Sequence, residues 1–67
     1  MYKNLIAEIA RKGITQKEIA GFLGIHENSM SNKLHGGTFT IEEAFKIKAR
    51  FFPEAELQYL FLKSEIA

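Results

Sequence analysis

The chain has 67 residues, 46% of them hydrophobic, with no cysteine and a formal net charge of +1. That length bounds it to one small domain burying roughly 60% of its unfolded surface, and the lack of cysteine excludes disulfides and thiolate zinc sites. No apolar run nears the ~20 residues of a membrane span. The start, MYKNLIAEIARKG, has no long uncharged core of a signal peptide, so the expected location is the cytoplasm. Near-neutral charge neither demands nor excludes a nucleic-acid partner; where the charges fall matters more.

In chain order, the periodicity predicts a first helix over 2–12. Tyr2, Leu5, Ile6, Ile9 and Ala10 recur at i, i+3 and i+4, and Gly13 stops it. Ile14 then precedes Thr15, which caps a second helix over 16–23, with Glu18 completing a capping box. Ile19 and Leu23 lie one turn apart on it, and Gly24 ends it. A third helix over 27–35 has only Met30 and Leu34 as its apolar stripe. Gly36-Gly37 ends that helix, and Phe39 anchors the loop that follows. Thr40 and Glu43 form a second capping box opening a fourth helix, whose inward face is expected to hold Ile41, Ala44, Phe45 and Phe52. Pro53 disfavours helical geometry in the residue before it and closes this helix near Phe52. A last short helix over about 55–62 carries Leu57, Leu60 and Phe61, and the tail 63–67 is expected to fray. Lys12 and Lys17 read as solvated charges. There is no internal repeat, low-complexity tract or linker. The expectation is an all-α fold, a compact five-helix domain spanning 1–67.

Residues 15–35, TQKEIAGFLGIHENSMSNKLH, resemble the helix-turn-helix of the phage repressor and Cro group, the lambda repressor-like family. The resemblance rests on seven positions that agree in type and spacing: Gln16, Ile19, Ala20, Leu23, Gly24, Ile25 and Met30. Ala20 is small enough for the two helices to cross closely, and Gly24 makes the turn. Similar segments recur downstream in EEAFKI and LQYLF, so the likeness covers nearly the whole chain, less specifically at its end. It implies a DNA-binding domain with the third helix as reader. Three positions depart from the family pattern. Lys33 stands where an apolar packing residue is usual, and Leu34 takes that job. Ile9 and Leu34 replace a charged pair found in some members, an exchange that can be neutral or stabilising. Phe22 stands where a polar residue is usual, either covering the core edge or anchoring a partner.

At 100° per residue, Met30 and Leu34 point one way while Asn28, Ser29 and Asn32 point roughly the other. An asparagine amide offers a donor and an acceptor together, matching the N6 and N7 edge of adenine. Recognition helices meet base edges with their N-terminal residues, so Glu27, Asn28 and Ser29 come first, then Asn32. Glu27 can accept from cytosine N4 but is repelled by phosphates. The competing reading is an ordinary solvated helix face. Against it, the face is rich in short amides and hydroxyls rather than in strong helix formers. The resemblance implies a phosphate contact for Gln16, at a helix start that favours anions anyway. His26 sits where the family often has a Ser or Thr cap. It is either a phosphate contact with pH-dependent binding or a plain exposed helix-start residue. Lys33, His35 and Thr38 are further phosphate candidates, and Thr38 can equally serve to close the loop.

No metal or cofactor is expected: His26 and His35 lie nine residues apart on different faces, and no catalytic arrangement stands out. One recognition helix reads only a few base pairs, so a homodimer on double-stranded DNA is expected. Helix five and the segment before it supply the expected contact: Phe51, Phe52, Tyr59, Phe61 and Leu62. The favoured reading is a small transcription regulator of phage or mobile-element type, binding operator DNA and blocking polymerase by occupancy. The rival is a protein-binding modulator that grips a phage repressor, with Phe22, Tyr59, Phe61 and Leu62 as partner-binding residues.

Overall fold

Two capping boxes and two left-handed glycines divide the chain much as its sequence predicts. The computed structural model describes residues 1–63. It contains α1 (Lys3–Lys12), α2 (Gln16–Leu23), α3 (Glu27–His35), α4 (Ile41–Phe51) and α5 (Leu57–Leu60), an all-α architecture of five helices. At the start of α2, Thr15 Oγ1 accepts from the Glu18 amide at 3.1 Å, and Glu18 Oε1 accepts from the Thr15 amide at 3.1 Å. Thr40 and Glu43 repeat the arrangement at α4. Each box satisfies two amide donors that a helix start otherwise leaves unpaired.

Every helix sends at least one side chain into a common core. Leu5, Ile19, Met30, Leu34, Ile47 and Leu60 have no exposed surface, and neither does Phe52, the residue that caps α4. Ile9 and Leu34 both pack as buried apolar residues of this core.

Tyr2 sits outside the helix it was expected to open and caps α1 instead. Its amide donates to the Leu34 carbonyl at 3.0 Å, and its hydroxyl accepts from the buried Phe39 amide at 3.1 Å. Its ring lies 5.2 Å from that of Phe39 and 5.8 Å from that of Phe61. One residue, through its amide and its side chain, thus ties the chain start to the end of α3, the following loop and the end of α5. Tyr2→Phe keeps the ring but orphans the Phe39 amide. A buried unpaired donor costs about 1–3 kcal/mol, so thermal unfolding of Tyr2→Phe is expected well below that of the wild type.

Several expectations are corrected. Ile41 and Phe45 do not face inward; they are 72% and 54% exposed. The helix keeps Ala44 inward as expected, with Phe52 buried just beyond its end, and adds Ile47, with Phe51 half-buried behind them. Positions 41 and 45 lie on a different face from 44, 47 and 51 at 100° per residue, so both sets cannot be buried. Ala10 is likewise exposed. Phe61 is half-buried against Tyr2 and Phe39, so it serves the core. Phe52, once a dimer candidate, is fully enclosed. Helix α5 is a single turn because Pro53 and a turn from the Phe52 carbonyl to the Ala55 amide occupy the residues before it. Lys12 is not a free solvated charge: its ammonium bonds the Phe51 carbonyl at 2.9 Å and Glu54 at 2.6 Å, over the Phe52 ring. Of the tail expected to fray, residues 64–67 lie outside the described residues. Lys63 donates to Thr38 Oγ1 at 2.7 Å.

Candidate nucleic-acid interface

The interface candidate is built from α2, a short turn and α3. Gly24 takes φ +75° and donates to the Gly21 carbonyl, while the Ile25 amide reaches back to Ala20 at 3.0 Å. A left-handed residue here reverses the chain within three residues, which a side chain bearing a Cβ resists. Ile19 and Ala20 are buried on α2, and Met30 and Leu34 are buried on α3. Ala20 is buried in the core beside Ile19.

With Met30 and Leu34 inward, the opposite side of α3 is fixed. Glu27, Asn28, Ser29 and Asn32 are all exposed. Their side chains make no hydrogen bond to the other described residues, unlike the polar groups tied down elsewhere on the surface. His26 is the N-cap of α3 with extended backbone, and its imidazole makes no capping bond. Its position therefore leaves the side chain exposed beside the first turn of the helix. Gln16 is the first residue of α2 and half-buried. Lys17, next to it, is exposed. The starts of α2 and α3 thus carry amide and imidazole groups, with backbone amides that favour anions.

At the other end of α3, His35 is exposed with no side-chain hydrogen bond to the other described residues, whereas its neighbours are already engaged. Lys33 donates to Glu43 Oε1 at 3.2 Å and lies 6.0 Å from the Phe39 ring. Glu43 therefore serves the α4 cap and holds Lys33 at once. Thr38 is exposed and accepts from Lys63. Gly37 packs directly on α3, its amide donating to the Asn32 carbonyl at 2.7 Å. A Cβ there would sit 3.1 Å from that oxygen and 3.2 Å from Lys33 Cα, so any other residue at 37 would have to push the loop and α3 slightly apart. The Lys33–Glu43 link and the tight loop were not legible beforehand. Both join positions outside any helical repeat.

Burial raises the Glu43 carboxyl, but the Thr40 amide and the Lys33 ammonium outweigh it and hold the group below its ordinary 4.5. A carboxyl lowered in the folded state stabilises above the unfolded value, and that stability is lost as pH falls through the folded value. Melting temperature is therefore expected to drop as pH falls below about 4.5. Glu43→Gln should flatten that drop and leave the remainder, to which Glu8 and Glu54, also lowered by their Arg11 and Lys12 partners, contribute. Melts of both proteins across that range check it.

Comparison with known proteins finds a partial match. Over 37 residues, 55% of this chain, the sequence is 43% identical to a protein named antitoxin HigA-1 from Vibrio cholerae serotype O1. The match spans about a third of that relative, 35% of its length. No family model matches the chain, and no solved structure does. Among the described residues no helix is long and apolar enough to cross a membrane, and no group of three metal-binding side chains gathers.

Proposed function

We propose that this protein is a small DNA-binding regulator that reads duplex DNA with α3 in the major groove. The observation that carries it is the outward face of α3. Asn28, Ser29 and Asn32 present amides and a hydroxyl with no partner among the described residues, on a helix whose other side is locked by Met30 and Leu34. Such groups can match base edges, adenine above all. Gln16, Lys17 and His26 flank them as phosphate contacts. Lys33 joins the surface once phosphate competes with Glu43 for its ammonium, and Thr38, which accepts from Lys63, keeps its hydroxyl hydrogen to donate. Occupancy of an operator, with phage or mobile-element promoters as the setting, is the regulatory mode this reading favours.

A second reading follows from two specific observations. Glu27 places a negative charge at the reading tip, and Phe22 is 45% exposed with its ring edge-on to Phe51 at 5.6 Å. Both suit a protein partner better than a phosphate backbone. That partner is a repressor polypeptide, or, by analogy with the antitoxin that the chain resembles in part, a toxin.

Amide NMR titration with duplex DNA from the native gene neighbourhood separates the two. A DNA reader shows saturable shifts at Gln16 and residues 27–33 that survive physiological salt. With Lys17 and Lys33 as the cationic phosphate contacts, log affinity should fall with log salt at a slope of roughly −2. Shifts erased by modest salt would reject operator reading and favour the protein partner.

A further inference from the structure

The outward side of α4 carries apolar side chains for which the fold supplies no cover. Ile41, Phe45 and Ala49 recur every fourth residue and are all exposed. Beside Ile41 a cleft of about 250 Å³ opens between α4 and α5, lined among others by Tyr2, Phe39, Ala44, Leu57 and Phe61. Apolar surface is therefore continuous from the ridge into the cleft. A charged row runs along the ridge: Glu42 and Lys46 pair at 3.4 Å, with side chains 81% and 55% exposed.

We infer that this face joins two copies of the chain, α4 packing antiparallel on α4 about a two-fold axis near Phe45. Charge selects the occupant. In an antiparallel two-fold pair the same flank of each helix meets, in reversed order. Glu42 lies three residues before Phe45 and Lys46 one residue after it. Glu42 of each copy therefore comes beside Lys46 of the other, offset along the axis by about two residues or ~3 Å. The internal ion pair becomes a ring of four alternating charges. The apolar row is self-complementary in the same register: Phe45 meets Phe45, and the large Ile41 meets the small Ala49 of the other copy. Antiparallel packing also opposes the helix dipoles. One helix face covers less than the ~800 Å² per partner of a standard interface, so the dimer is weak and concentration-dependent. This assignment replaces α5 as the dimer contact and does not depend on what α3 binds.

Sedimentation equilibrium of the full chain without DNA, from about 10 µM to about 1 mM, tests it. A monomer–dimer equilibrium is expected. Phe45→Glu should weaken it by ~30-fold or more with an unchanged melting temperature, since the side chain supports no core. Glu42→Lys should also weaken it, and adding Lys46→Glu should restore it. Leu62→Glu, exposed at the end of α5, should leave it unaltered. A monomer at about 1 mM, or a dimer that survives Phe45→Glu, overturns the inference. With no DNA present, either failure leaves the reading of α3 standing.

Discussion

Phe52→Ala is expected to abolish stable folding at moderate temperature. Phe52 has no exposed surface, follows the last turn of α4 and lies beneath the Lys12 ammonium, 5.0 Å from its ring. Truncating a buried phenylalanine costs about 3–5 kcal/mol. A 67-residue chain has only roughly 3–10 kcal/mol to lose at typical per-residue stability. For a domain of this size each 1 kcal/mol moves the midpoint by about 4–8 °C. Thermal denaturation followed by circular dichroism should therefore fall by more than about 12 °C or lose its cooperative transition. Phe52→Leu, which keeps most of the volume, should cost less than about 1.5 kcal/mol. A midpoint for Phe52→Ala within a few degrees of wild type would mean that the centre of the core lies elsewhere.

The second large effect concerns binding. Asn28→Ala and Asn32→Ala should each weaken a specific DNA complex by about 1–3 kcal/mol, roughly 5- to 150-fold, if α3 reads bases. Both side chains are exposed and make no hydrogen bond to the other described residues, so melting should change by no more than about 0.5 kcal/mol. The residues lie one turn apart on one face, so the double variant need not show the sum of the two losses. Fluorescence anisotropy with a labelled operator duplex at fixed salt measures these losses. If both variants bind as wild type while Phe22→Ala fails to bind a protein partner, α3 is not the reading element. In that case the exposed Phe22, resting edge-on against the half-buried Phe51, is the functional surface.

These two experiments separate what holds the chain from what it does. The buried set and the outward amides sit on opposite sides of one nine-residue helix, so a clean result needs substitutions confined to one side. Lys33 would blur the distinction, because it links α3 to the α4 cap through Glu43 and also faces the flank where a backbone would run.

Helix placement was readable from the chain because its determinants are local. The Thr15–Glu18 and Thr40–Glu43 boxes close over three residues, and Gly24 reverses the chain where the apolar pattern of α2 ends. The inward turn of Met30 and Leu34 was legible for the same reason. No other apolar residue on α3 competes with them, and their burial sets Asn28, Ser29 and Asn32 outward. On α4 the sequence was ambiguous, since Ile41 and Phe45 are as apolar as Ala44 and Ile47. Ala44 was expected inward and is, but only packing against the other helices chose Ile47 to join it and left Ile41 and Phe45 on the surface. The partners of Tyr2, Lys12 and Lys33 were equally hidden. Their hydrogen bonds span 37, 42 and 10 positions, to Phe39, Glu54 and Glu43. Helical periodicity carries information only across a turn or two, whereas such contacts exist only after burial of the core has brought distant segments within hydrogen-bonding reach.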